Sequence, residues 1–143
     1  MDFGAVVDFY HSDMTRTVAV GEISSKQAEV YETVLEAQIK AIEAVKAGEI
    51  CNEVDKVARD IIRNKGYGEY FGHGYGHSLG LEIHESPSPN ARNEAAMPAY
   101  SVASAEPGIY LPGKFGVRIE DTCVFLEDGI EILTASPKNL III

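Results

Sequence analysis

The sequence is poor in positive charge, in cysteine and in long apolar runs. Lys and Arg total 12 against 22 Asp and Glu, so the formal net charge is −10. A chain this acidic is repelled by a phosphate backbone and by an anionic lipid surface. Nucleic acid and polybasic membrane anchoring are poor candidates as partners, and cations are better ones. No stretch approaches the ~20 apolar residues that a membrane helix needs. The opening MDFGAVVDFY has two acids and no basic residue, so it does not read as a signal peptide. Cys51 and Cys123 are far apart and in no metal-like spacing. They read as small buried apolar residues of a protein in a reducing cytosol, so a cytoplasmic location is expected.

What remains is an ordinary globular composition, 143 residues with 45% hydrophobic and 24% charged. That is one domain, able to bury about 68–70% of the surface its unfolded chain exposes. Val6 and Val7, then Thr15, Thr17, Val18 and Val20, predict two short strands with a bend at Asp8. Tyr31, Val34, Leu35, Ile39, Ile42 and Val45 share one face of a helix over 25–47. Ser24 and Gln27 form a capping box for it, and Gly48 suits its C-terminus. A second helix spans 53–65, with Asn52 as N-cap and Gly66 as its stop. Residues 88–100 read as a loop, and 101–106 and 115–126 as strands. Asp128-Gly129 marks a hairpin that returns through Ile130–Thr134, and the apolar tail Leu140–Ile143 packs down.

Residues 66–90 differ in character. Gly72, Gly74, Gly76 and Gly80 alternate with aromatic residues and with His73, His77 and His84. Such glycine density signals tight turns or close approach of the backbone to a ligand. Carboxylates in strand-like surroundings are the other signal, because they must be paired, hydrogen-bonded or bound to a cation. Asp2 and Asp13 flank the first strand pair, Glu106 ends a strand, and Glu120 lies inside one. In GVRIEDTCVF, alternation puts Val117, Ile119, Asp121 and Cys123 on one face and Arg118, Glu120 and Thr122 on the other. That second face suits a site lining, and it equally suits a solvated face with an Arg118–Glu120 pair. Four carboxylates and a histidine together suit two divalent cations: manganese, cobalt or iron, with zinc a further option.

The segments DFGAVVDFYHSDMTRT, GYGEYF, HGYGHSLGLEIHESP and EPGIYLPGKFGVRIED closely resemble the Xaa-Pro peptidases. These are the prolidase and aminopeptidase P members of the pita-bread metallopeptidases. The likeness covers nearly the whole chain, with its motifs in the family order. It implies an α/β (α+β) fold, the C-terminal half of the pita-bread architecture: a curved, mostly antiparallel sheet with two helices on its outer face. By this resemblance Asp2, Asp13, His77, Glu106 and Glu120 match the five metal ligands. His84 matches a histidine that contacts substrate or the tetrahedral intermediate, and His73 a further active-site histidine. Arg118 matches an arginine that organises hydrogen bonds beside the metals. The implied cofactor is a pair of divalent ions, manganese first among them. The implied reaction is hydrolysis of a Xaa-Pro bond in a proline-containing peptide, with a hydroxide held by both metals as nucleophile and Glu106 shuttling the proton. The short connection from Glu106 to Glu120 resembles prolidases and compact bacterial Xaa-Pro peptidases. Intact ligands argue against a creatinase-like amidinohydrolase. The remaining alternative is a non-catalytic binding or assembly module, or an inert fragment without organised metal.

Two departures from the family pattern carry expectations. Residues 1–143 read as a single, partial catalytic domain, without the family's first half and N-terminal domain. Asp2 is then held from a fraying terminus, and the uncovered apolar surface invites homodimerisation or other self-association. Before Glu106 the stretch MPAYSVASAEPG puts Tyr100 where the family has a turn glycine, and Ala103, Ser104 and Ala105 where larger residues are common. A loosened strand and a disturbed turn under the metal ligand are expected.

Overall fold

A computed structural model describes residues 1–143. The chain opens with four two-residue strands, β1 (Asp2–Phe3), β2 (Val6–Val7), β3 (Tyr10–His11) and β4 (Met14–Thr15). β1 pairs with β4, and β2 with β3, so the segment is a long hairpin with an interrupted ladder. Its tip bends at Asp8 and Phe9, both in the left-handed region (φ 49° and 67°) that two-residue hairpins require. Two helices follow, α1 (Ser25–Ala44) and α2 (Cys51–Asn64). After a 3-10 turn at Gly68–Tyr70 and a long irregular stretch come β5 (Val102–Ala105), β6 (Gly108–Leu111), β7 (Phe115–Arg118), β8 (Asp121–Leu126) and β9 (Gly129–Ile132). All strand pairings are antiparallel, in the sheet β5-β8-β9 and the pair β6-β7. α1 lies against β6, β7 and β9, and α2 packs on α1 and on the 3-10 turn.

The Ser24–Gln27 capping box forms as expected. Helix α1 ends at Ala44, earlier than the sequence suggests, because Val45 turns extended and buries its side chain. The backbone beyond it pairs elsewhere: Ala47 N–H donates to Leu126 O, and Gly48 N–H, at φ 88°, to Met97 O. Of the predicted stripe, Tyr31, Val34, Ile42 and Val45 are buried, and Ala37, Gln38 and Ala41, outside that stripe, are fully buried as well. Asn52 is not the cap of α2; Ile50 is, with no side-chain bond. The first N–H groups are satisfied instead by the loop, Cys51 N–H to Ala95 O and Asn52 N–H to Asn93 O.

The predicted strand over 115–126 divides at Ile119–Glu120. β7 pairs with β6, β8 pairs with β5 and β9, and the joint meets Thr15 through a single bridge. Val117, Ile119 and Cys123 enter the core as alternation requires. The tail differs from expectation: Leu140 packs on the core, but Ile141, Ile142 and Ile143 stay exposed despite the Ala19–Ile142 bridge. The hairpin tip also presents apolar side chains to solvent, including Val6, Val7 and Phe9.

The small residues of β5 do not loosen the strand. Ala103 and Ala105 are buried in the core, and the segment carrying Gly76 lies so close that a Cβ there would stand 2.0 Å from Ser104 O. The turn before β5 also forms. Tyr100 N–H donates to Phe125 O (2.7 Å), and Tyr100 itself takes the left-handed conformation (φ 65°) that a glycine would adopt without penalty. Its side chain is exposed, so its removal costs no packing. Tyr100→Gly is therefore expected to stabilise the chain by about 0.5–1 kcal/mol, the relief of strain less the added entropy of the unfolded glycine. Urea unfolding of both proteins checks this, and a destabilised variant would contradict it.

Candidate metal centre

The glycine-rich segment is laid along β5 as an extra, irregular strand. Ser104 N–H donates to His77 O (2.8 Å), Leu79 N–H to Val102 O (3.1 Å) and Glu106 N–H to Tyr75 O (2.8 Å). The Ser104 hydroxyl accepts from His77 N–H (2.9 Å) and donates to Glu106 Oε1 (3.0 Å). His77 and Glu106 are thereby held side by side, with His77 Nε2 3.4 Å from Glu106 Oε1. On the facing hairpin, the Thr122 hydroxyl donates to Asp13 O (2.6 Å) and fixes Asp13 between β3 and β4. Asp13 Oδ2 stands 3.6 Å from His77 Nε2.

Glu120 sits at the joint between β7 and β8, 1% exposed. Its Oε2 accepts from the Thr15 hydroxyl (2.6 Å), and its Oε1 is buried with no partner. An orphaned buried carboxylate oxygen is costly unless a proton or a cation meets it. Burial, reinforced by the charges of Glu106, Asp13 and Asp2, pushes the Glu120 carboxyl up to about 8. Burial also raises Asp13, with Asp2 adding to the effect and His77 opposing it. Glu106 is raised by burial against the Ser104 hydroxyl, His73 and Arg118. These carboxyls crowd together without enough positive charge, and a divalent cation fits what they lack.

Ligand atoms of Asp13, His77 and Glu120 lie within 4.8 Å of one another. Glu106 adjoins this group through His77. Asp2, half exposed on β1, instead bonds to Arg118 Nη2. Arg118 does not pair with Glu120. It donates through Nε to the Thr15 hydroxyl (3.2 Å) and through Nη1 to the Tyr110 hydroxyl (2.9 Å), and its Nε stands 3.9 Å from Glu106 Oε2. His73 Nε2 meets the same Tyr110 hydroxyl (3.1 Å) while its Nδ1 faces Gly74 O (2.8 Å). A carbonyl only accepts, so Nδ1 carries the proton and Tyr110 donates to Nε2. The His84 ring is tilted against His77, with centroids 4.2 Å apart.

Sequence reading missed Thr15, Ser104 and Tyr110 as members of the site. Period-two spacing was the available signal: Thr15 stands two residues from Asp13, and Ser104 two from Glu106. Tyr110 had no such signal. Its ring lies over Gly108 and Gly116, where an added Cβ would stand 2.6 Å from the Tyr110 hydroxyl and 2.7 Å from its Cδ1.

The raised carboxyl gives a pH dependence of known sign. Glu120 goes from 4.5 in the unfolded chain to about 8 in the fold, so the fold prefers its neutral form. Metal-free stability is then full at low pH and falls as pH rises through that window. At pH 8 a divalent ion at 100 times its dissociation constant restores ~2.7 kcal/mol. Glu120→Gln lessens the pH slope, leaving the part due to Asp13 and Glu106, and abolishes the metal response. Urea unfolding in chelator and in manganese, across pH 5 to pH 8.5, reads both; a flat wild-type profile contradicts the assignment.

Comparison with known proteins bears on the family and the fold. The family model described as Metallopeptidase family M24 matches residues 1–127. The chain is 48% identical over 141 residues to a Xaa-Pro dipeptidase of Pyrococcus furiosus, covering 99% of this chain and 40% of that protein. It superposes with a TM-score of 0.97 on a Xaa-Pro dipeptidase from Bacillus anthracis, at 51% identity, covering 99% of this chain and 40% of the other. An X-Pro aminopeptidase from Thermotoga maritima gives a TM-score of 0.95 at 49% identity, again with 99% and 40% covered. The chain therefore spans about 40% of the length of the relatives it matches. The expected pita-bread architecture is the one these structures share with it. With the match running through every segment that carries a site carboxylate, the chain belongs to metallopeptidase family M24.

Proposed function

We propose that this chain serves metal-dependent hydrolysis of peptide bonds that precede proline. The observation that carries the reading is Glu120, buried with one partnerless oxygen and within ligand reach of Asp13 and His77. Relatives named Xaa-Pro dipeptidase and X-Pro aminopeptidase supply the substrate class. Asp13, His77 and Glu120 are the inner holders of the metal, Glu106 adjoins them, and Asp2 joins once released from Arg118. Two divalent cations, manganese by preference, would acidify a water molecule and polarise the peptide carbonyl there.

The chain's own residues do the rest. Glu106 is raised by burial and is held at Oε1 by Ser104. Its Oε2 faces Arg118 and is placed to take a proton from the attacking water and return it to the proline nitrogen. His84, exposed on the rim beside His77, is placed to donate to the developing oxyanion. His73 and Arg118, joined through Tyr110, orient the peptide. A prolyl amide has no N–H to offer, so selectivity rests on pocket shape and on the charges of the peptide termini. Both cysteines are buried and free, in keeping with work in the cytoplasm.

Manganese-loaded protein is expected to hydrolyse Ala-Pro and to spare Ala-Ala. Glu106→Gln is expected to lower kcat by 10²-fold or more, within the range typical of a lost acid-base group, ~10²–10⁴. Metal-loaded protein that cleaves neither peptide, or cleaves both equally, overturns the reading.

A further inference from the structure

The site carboxylate Glu120 is followed directly by a second acid, Asp121, which faces the other way and is 0% exposed. Asp121 belongs to a separate charged cluster behind the site. Its Oδ1 accepts from Arg16 Nη2 (2.7 Å), and its Oδ2 from Lys138 Nζ (2.8 Å) and Gln38 Nε2 (2.8 Å). Lys138 also donates to Gln38 Oε1 (3.0 Å), which closes the cluster.

Arg16 spends every remaining donor on backbone carbonyls. Nη1 donates to Thr15 O (2.9 Å) and to Glu120 O (2.6 Å), Nη2 to Ser136 O (2.7 Å), and Nε to Pro137 O (2.9 Å). Thr15 and Glu120 are the two residues whose side chains meet on the site face, through the Thr15 hydroxyl and Glu120 Oε2 (2.6 Å). Between their backbones there is one bridge, Glu120 N–H to Thr15 O (3.1 Å), because the strand divides at this point. The guanidinium fills that gap in the ladder from behind.

We propose that Arg16, oriented by Asp121 and Lys138, is a positioning residue that sets the metal affinity of the centre by fixing the Thr15–Glu120 pair. The inference rests on the metal reading of Asp13, His77 and Glu120. It also assigns a task to Ser136–Lys138, which lies beyond the residues 1–127 that the family model matches. A guanidinium has five N–H donors in a planar fork, enough for the four carbonyls and the carboxylate that Arg16 meets, whereas an ammonium has three on a single atom. Partners that hold metal ligands from behind typically contribute ~10–100-fold to metal affinity.

The test uses cobalt(II) as probe on the full chain, with visible absorption for coordination geometry, titration for affinity, and chelator-treated urea unfolding for the fold. Arg16→Lys keeps the charge on Asp121 and loses the shared grip on the two carbonyls. It is expected to bind cobalt about 10–100-fold more weakly and with shifted bands. A merely structural role lowers metal-free stability and leaves the affinity and bands of the folded protein unchanged; that result overturns the inference. Should Arg16→Lys fail to fold, Lys138→Met decides, since that side chain is 21% exposed and removes one partner of Asp121. Weakened cobalt binding with an intact fold supports the inference, and unchanged binding overturns it. Wild-type protein that takes up no cobalt overturns the metal reading and the inference together, whereas normal wild-type uptake with an unaltered variant overturns the inference alone.

Discussion

Two adjacent acids, Glu120 and Asp121, are buried on opposite sides of one strand and treated in opposite ways. Asp121 meets two cationic side chains and an amide, so each oxygen is satisfied inside the protein. Glu120 meets one neutral hydroxyl and is left with a free oxygen. Burying an unpaired carboxylate costs several kcal/mol in a protein interior, and a neutral hydroxyl removes little of that. The metal-free fold meets that cost by favouring the neutral form of Glu120, while Asp121 is anchored behind it and Thr15 bonds to it from across the joint. The rest of the architecture maintains that asymmetry.

The helices supply the back wall that makes it possible. α1 buries Ala37 and Ala41 together with Gln38, whose amide reaches through the layer to Asp121. Tyr31, on the same helix, donates to Lys138 O (3.0 Å) and holds the tail segment against it. α2 acts on the other side of the site. Asp55 and Arg59 are paired at 2.6 Å, and Arg59 also donates to Phe71 O (2.9 Å) and His73 O (2.7 Å). Asp55 in turn accepts from Tyr75 N–H (2.9 Å). Since Tyr75 O receives Glu106 N–H, the glycine-rich segment carrying His77 and the strand end carrying Glu106 are fixed from one helix.

The helices were largely legible from their sequence because their signals are local. A three-and-four periodicity and a Ser-x-x-Gln box need no knowledge of the rest of the chain. Where the reading failed, a long-range partner had taken over. Asn52 has the right chemistry for a cap, yet carbonyls of Asn93 and Ala95 serve the helix end instead. Gln38 lies outside the predicted apolar stripe, yet it is buried because its partner lies at Asp121. The carboxylates that gather here were legible as acids in apolar surroundings, and motif likeness suggested the metal-holding role proposed for them. Thr15, Ser104 and Arg16 were not, because a hydroxyl or guanidinium shows its role only when the residue it holds is known. The small residues of β5 looked like weakness, yet Ala103 and Ala105 are buried in the core and the strand is met closely by Gly76, which has no Cβ to clash with Ser104 O.

The placement of the site follows from where the sheets stop. Asp13 lies between β3 and β4, Glu106 directly after β5, Glu120 between β7 and β8, and His77 outside any regular strand. A residue inside a ladder has its backbone committed and its side chain fixed perpendicular to the sheet. At a strand end the side chain can turn inward, but the backbone loses ladder partners and needs others. Here three hydroxyls repair those ends: Thr122 holds the Asp13 backbone, Ser104 the His77 backbone, and Thr15 the Glu120 side chain. A hydroxyl is small and uncharged, so it fixes each group without neutralising the acids. Had arginine or lysine done the same work at Glu120, as they do at Asp121, the carboxylate would be satisfied and would have no remaining demand for a cation. Rigid placement with incomplete neutralisation is what a metal centre requires of its ligands, and the short, repeatedly broken ladders of this fold supply it.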